Sequence, residues 1–289
     1  LGSWRDKAAV LRLRQRALEG SLDELFARPA TSTRTVLEAF GFSADFTTAF
    51  LEPWLGGIFL GRDLATSSRM LDFVMRMMAQ GDTAIPARGM GAIPAQLARA
   101  LPPGTVQLHR RVVALGEHGV RLDDGQLVSA SDMIIATEGD TAATLLGLPA
   151  PTRPRAAISL AFATPAAPWR GPINSLVVMS ELSAGVAPAG EALVTIALID
   201  DHPEGDEALE RTVRQQASTW FGATVATWRL LRVHRIRYAQ PDQLPDDLHP
   251  VARPVRLRAG RYVAGDHRET ATLHGALHSG RRAAEALLR

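Results

Sequence analysis

The sequence predicts an α/β protein with an α+β portion, made of two domains whose segments interleave along the chain. Three observations carry that expectation. The last stretch, residues 251–289, contains an apolar strand, an acid and a long helix in that order. Residues 86–149 alternate short apolar runs with turns and one helix, which is the same α/β character. A helical stretch, 1–85, and a sheet-plus-helix stretch, 150–250, lie before and between them. At 289 residues the chain is long for one simple domain and comfortable for two.

In residues 1–85, Val10, Leu11, Leu13, Leu18, Leu22, Leu25 and Phe26 give an amphipathic start, with Arg12, Arg14 and Arg16 facing outward. Thr31-Ser32-Thr33 supplies a cap before Val36, Leu37 and Phe40, and Gly41 ends that helix. The run Phe46, Phe50, Leu51, Pro53, Trp54, Leu55, Ile58, Phe59, Leu60 is the most apolar part of the chain, followed by Met70 to Met78 at helical spacing. An ordinary helical core accounts for both. The alternative is an apolar substrate wall, or a patch resting on a membrane surface.

In residues 86–149, a turn around Gly89-Met90-Gly91 leads into a helix from Ala95 to Leu101. Thr105 to Leu108 and Arg111 to Leu115 read as strands. Gly119 to Leu122 and Leu127-Val128 form a hairpin about Asp124-Gly125, and Asp132 to Thr137 is a buried strand with a polar exit. In residues 150–250, strands are expected at Ala157 to Ala163, Ser175 to Met179, Ala192 to Ile199 and Val225 to Arg237. A helix from Asp206 to Phe221 places Leu209, Val213, Ala217 and Trp220 on one face. Proline-rich joints at 149–154 and 241–254 mark the crossings between domains.

The closing stretch is the most informative. Tyr262-Val263-Ala264 suits a buried strand, Gly265 a tight exit, and Asp266 places a carboxylate just past the strand's carboxyl end. Thr270 or Thr272 caps a helix whose apolar positions are Leu273, Ala276, Leu277, Gly280, Ala284 and Leu287, with His274, His278, Arg281 and Glu285 opposite. Gly275, in the first turn, leaves room for a ligand to approach the backbone. A strand, an acid and a bare helix start suit an electron-rich group, because unpaired amides and the positive dipole end face it.

Composition excludes several other chemistries. Cysteine is absent, so there is no disulfide, thiolate metal site or cysteine nucleophile. No signal peptide and no spanning apolar run are visible, which leads to the expectation of a cytoplasmic protein with peripheral membrane contact. Net charge is only +2 and the arginines are scattered, so nucleic acid is not an expected partner. No feature sets an oligomeric state. His267, His274 and His278 lack a metal-binding helix motif and read as exposed histidines, so no metal is expected. Asp123-Asp124, Asp200-Asp201 and Asp246-Asp247 sit in apparent turns, and no serine-hydrolase elbow or phosphate-binding Lys loop exists.

Gly265-Asp266, Thr270, Leu273-His274-Gly275-Ala276 and Ser279 to Glu285, taken in order, resemble the C-terminal flavin-binding signature of the amine oxidase superfamily. That superfamily includes flavin amine oxidases, protoporphyrinogen oxidase and phytoene-desaturase-like enzymes. Phe50 to Leu60, Ile85 to Pro94 and Arg235 to Pro241 are similar to further family segments, although Arg88 stands where the family has Gly. The resemblance implies FAD as cofactor, with Asp266 on its ribityl or pyrophosphate part. It places the amides near Thr272, Leu273, His274 and Gly275 at the flavin C2 carbonyl and N1. It implies that the Val112 backbone meets the adenine, and that Ala136-Thr137 approach the flavin. The family's N-terminal Gly-x-Gly-x-x-Gly turn has no match here, Gly89-Met90-Gly91 failing the test. The chain therefore reads as the C-terminal portion of a two-domain FAD-linked oxidoreductase, a fragment expected to be inactive alone. Amine-oxidising relatives carry an aromatic residue at the position of Thr272 and a Lys near flavin N5, whereas Lys7 is the only lysine here. The resemblance thus implies dehydrogenation of a small hydrophobic substrate (an isoprenoid, carotenoid precursor or porphyrinogen) by hydride transfer to N5. Amine oxidation and a non-catalytic scaffold on a decayed flavin fold are the alternatives.

Overall fold

The computed structural model describes residues 2–149, 154–165, 176–199 and 202–289. Ser175, residues 150–153 of the first proline-rich joint and the Asp200-Asp201 pair lie outside them.

The first eighty residues fold as helices. Ser3 and Ser21 cap Trp4–Leu18 and Leu22–Ala27 with reciprocal capping boxes, and Ser32 caps Thr33–Ala39. Leu13, Leu25, Leu37, Leu55 and Leu71 fill their common core. Two expectations change here. Leu11 faces outward, because Ala9, Leu13 and Ala17 form the buried stripe. Arg16 faces inward, where it and Arg28 both meet Asp72, which is 1% exposed, at 3.1 Å. The apolar run splits in two: Leu51, Leu55 and Phe59 are core, while Phe42, Phe46, Phe50 and Trp54 stack in a half-exposed ladder.

Residues 81–111 lie almost wholly at the surface around the helix Ala92–Arg99. The strand expected at 105–108 is absent; the segment finds no pairing partner and stays exposed. A three-stranded antiparallel meander follows, Val112–Gly116, Gly119–Leu122 and Leu127–Ser129. Next comes Met133–Ile135, which pairs in parallel with Arg261–Val263 more than a hundred residues later. Arg256–Arg258 completes that sheet on the other side. Ile134 is exposed, unlike its neighbours Met133 and Ile135, because this end strand is packed on one face only.

The third sheet is antiparallel throughout, in the order Leu176–Val178, Glu191–Ile199, Pro154–Pro165, Arg229–Pro241. The helix Asp206–Phe221 covers one side through Leu209, Val213 and Ala217. Trp220 is exposed instead, and Trp228 is the aromatic buried here. The strand expected from Val225 begins only at Arg229, because a 3₁₀ turn occupies Gly222–Thr227. Among the described residues, no helix is long and apolar enough to cross a membrane.

Candidate cofactor and substrate site

The parallel pairing brings two strand ends side by side. The Ala264 amide donates to the Ile135 carbonyl at 2.9 Å. Beyond that bond the two chains diverge, each through a polar turn into a helix: Gly139–Leu146 after Thr137, and Leu273–Leu287 after Asp266. Carboxyl ends of adjacent parallel strands leave a crevice of this kind, in which α/β proteins bind ligands.

Gly265 has φ +149°, a conformation that side-chain-bearing residues rarely adopt, and a Cβ there would overlap the His267 ring. Its amide donates to Ser279 Oγ at 2.9 Å, and the Ser279 hydroxyl donates back to its carbonyl at 2.8 Å. The fully buried Ser279 thus pins the strand exit to the second turn of the last helix. Asp266 begins a 3₁₀ turn, half-buried, with burial raising its pKa against the opposing pull of nearby backbone amides. No Lys or Arg among the described residues forms an ion pair with it; the titratable side chain beside it is His267, with Nδ1 at 3.9 Å. That imidazole is itself pushed down to about 4 by burial, then by Arg268 and Arg253.

The last helix departs from its expected orientation. Its buried stripe is Gly275, Ser279 and Ala283, whereas Leu273 and Leu277 are about half exposed, at 48% and 47%. Small residues win the inward face because the helix lies directly against Thr270 and the strand exit. A Cβ on Gly275 would overlap the Thr270 carbonyl oxygen, so the space it leaves is filled by protein rather than by a ligand. Thr272 is the cap, accepting from the Gly275 amide at 2.9 Å and sharing a hydrogen bond with Thr270 at 3.0 Å. The Leu273 and His274 amides, in contrast, donate to no group among the described residues. Two free donors therefore stand at the positive end of a fifteen-residue helix.

A model of the family described as flavin containing amine oxidoreductase matches residues 5–288. The chain belongs to that family. No curated protein matches it. Among solved structures, an oxidoreductase from Methanosarcina mazei is 15% identical, with a TM-score of 0.69 over 98% of this chain and 73% of that one. A putrescine oxidase bound to putrescine is also 15% identical, at 0.67 over 99% and 76%. Cyclohexylamine oxidase from Brevibacterium oxydans is 14% identical, at 0.64 over 97% and 73%. At such identities these structures speak for a shared fold.

A flavin-containing family makes FAD the cofactor, and the donor set of this flavin oxidoreductase chain fits it. Two unpaired amides suit an electron-rich ring edge. A half-buried carboxylate with no arginine or lysine partner suits sugar-type hydroxyls, which can donate to it. Ala136 and Thr137 end the strand beside Gly265, so they border the same crevice. Val112 lies on another sheet, whose Leu115 and Val120 pack on the Met133, Ile135 and Val263 core. The Asp123 amide bonds the Arg111 carbonyl and the Leu122 amide bonds Gln126, so the Val112–Leu122 pair is not hydrogen-bonded. The Val112 backbone groups consequently point outward from the edge of the meander.

Sequence reasoning missed the polar ties behind the crevice. Gln240 donates to the Ala271 carbonyl at 2.9 Å and so attaches the long sheet to the start of the last helix. Arg155 meets Asp242 at 3.0 Å, and Glu269 meets Arg282 at 2.9 Å and His278 at 3.4 Å. His278 thus faces Glu269 across the turn. The only available signal was charge, and charge without periodicity does not show which distant residues meet.

Proposed function

We propose that this chain is the flavin- and substrate-contacting part of an FAD-dependent oxidoreductase that dehydrogenates a small hydrophobic molecule. The observation that carries this reading is the start of the last helix. Thr272 spends its hydroxyl on the cap, leaving the Leu273 and His274 amides free to hold an electron-rich carbonyl and the charge that develops on it. When bound, the flavin supplies the redox chemistry by accepting a hydride, which carries two electrons and one proton. Asp266 would orient the cofactor by accepting hydrogen bonds from its hydroxyls. Leu273 and Leu277, exposed next to the free amides, favour an apolar reactant.

Two features weigh against an amine as the reactant. The cap position carries a threonine already engaged in hydrogen bonds, and Lys7 lies on the first helix with its ammonium 4.5 Å over the Trp4 ring. Amine oxidation keeps support from the family description. The deciding experiment uses the full-length flavoprotein under anaerobic conditions. Hydrophobic polyenes and porphyrinogens are expected to bleach its flavin absorbance, and a panel of primary amines is expected to leave it unchanged. Bleaching by amines, with peroxide released on readmitting air, would reverse the assignment. A full-length protein that retains no flavin would remove the oxidoreductase reading, and bound flavin that nothing bleaches would favour a scaffold.

A further inference from the structure

The last helix carries a pair of histidines on the flank away from its small-residue stripe. His274 and His278 stand four positions apart, so successive turns place them on one face. Their rings lie 6.5 Å apart, centroid to centroid, and only 18° from parallel. Both residues are exposed. The His274 ring makes no hydrogen bond or ion pair among the described residues.

His278 differs in what lies behind it. Its Nδ1 faces Glu269 Oε2 at 3.4 Å, and that carboxylate is only 10% exposed. Arg282 holds Glu269 in place at 2.9 Å. A carboxylate in front of one ring nitrogen draws the proton to that nitrogen and leaves the lone pair on the other. The other is Nε2, at the edge of the ring away from Glu269. Metal-binding histidines are supported in this way, with a carboxylate behind the nitrogen that does not bind. The neighbouring cations are already answered: Arg281 pairs with Glu285 at 2.7 Å, and Arg282 with Glu269. The sequence shows no third ligand at helical spacing, which is why it predicts no metal, and among the described residues no three potential ligands converge. The helix therefore offers two imidazoles, with the rest of a coordination shell open to water.

We infer that His274 and His278 form a chelating site for a late first-row divalent ion (Cu²⁺, Ni²⁺ or Zn²⁺), bound through two imidazole nitrogens and completed by water. Imidazole suits these ions, whereas Mg²⁺ and Ca²⁺ prefer oxygen ligands. For zinc, metal–nitrogen bonds of about 2.0–2.1 Å require the two rings to close from their present separation, and exposed side chains are free to do so. The chelate ties the first turn of the helix to the second, and the first turn carries the free Leu273 and His274 amides. The site is independent of the oxidoreductase reading, in which neither imidazole takes part.

Spin-echo EPR of the full-length protein titrated with Cu²⁺ alone tests the site, because echo modulation counts the imidazoles bound to one copper. The first equivalent is expected to carry two. Glu269→Gln is expected to weaken binding about tenfold with both imidazoles retained. His274→Ala and His278→Ala are each expected to cost more and to reduce the count to one. The His274 ring has no protein partner to lose, so its variant keeps the site testable if His278→Ala fails to fold. His118→Ala, at an exposed histidine of the meander, serves as the control and leaves the count at two. Zn²⁺ is expected to raise Tm in the parent protein and not in His274→Ala, with Mg²⁺ raising neither. A count below two in the parent protein, or a count of two that survives His274→Ala, would overturn the site.

Discussion

Two helices begin at neighbouring strand ends, and they begin differently. Gly139–Leu146 has Glu138 at its cap position without a capping bond to the backbone, and Asp140 in its first turn. Acids there already satisfy the positive end of the dipole. Leu273–Leu287 has a neutral threonine cap and no acid in its first turn, which leaves two amides and the dipole unanswered. One start carries its own negative charge and the other carries none. With no acid of its own, the second is the better suited of the two to an electron-rich group from outside the chain.

That contrast is tested most severely at the acid beside the open start. In the full-length flavoprotein, Asp266→Ala removes hydrogen bonds to a charged acceptor, each worth about 1.5–3 kcal/mol. FAD affinity by absorbance titration is expected to fall at least tenfold, whereas Glu138→Ala leaves it within twofold. Equal losses in both variants would erase the distinction between the two starts.

Gly275→Ala comes next. The added methyl meets the Thr270 carbonyl, a backbone group with little room to yield, so a destabilisation of about 1–3 kcal/mol is expected in thermal unfolding. An unchanged Tm would show that the cap loop is not packed against the helix as described.

The acid limb of stability supplies a third test. His267 is held to about 4 in the folded protein, below its ordinary value of 6.5. Between those values the unfolded chain binds the proton and the folded one does not. Stability is therefore complete above pH 6.5 and declines as pH falls towards 4. Asp266 has the opposite sign: its raised pKa favours the folded state at low pH, and the gain is lost as pH rises through the carboxylate range. His267→Gln is expected to flatten the decline between pH 6.5 and 4 in denaturant titrations. An unaltered slope would mean that another group titrates there.

Removing the cap itself should have a smaller effect. Thr272→Ala costs about 1 kcal/mol in unfolding measurements, while Glu138→Ala, at a position with no cap bond, costs less than half of that.

How much of this was legible in the sequence depended on range. Local chemistry was readable: Ser32 capping its helix, the Asp206–Phe221 helix and the order strand, Gly265, Asp266, Thr272, helix all follow from near neighbours. Hydrophobicity does not indicate the inward face of the last helix. Leu273 and Leu277 are more apolar than Gly275 and Ser279, but contact distance decided which stripe turns inward, and only small residues fit against Thr270. Arg16 was misplaced for a related reason: its partner Asp72 lies fifty-six residues away, beyond any local pattern. The missing strand at 105–108 had β-forming residues and no neighbour to pair with, which no propensity can report.

The smallest effect separates the two glycines of the last helix, which look alike in the sequence. A Cβ on Gly280 meets nothing within 4 Å, and the residue lies in a regular helix without the left-handed backbone of Gly265. Gly280→Ala therefore removes the excess backbone freedom of the unfolded chain without adding a clash, a gain of up to about 1 kcal/mol. The same substitution five residues earlier is expected to destabilise. Opposite signs in paired melting curves would locate the constraint at Thr270. A loss at both positions would instead mean that Gly280 faces a partner, and the exposed side of this helix would then have to be described as an interface.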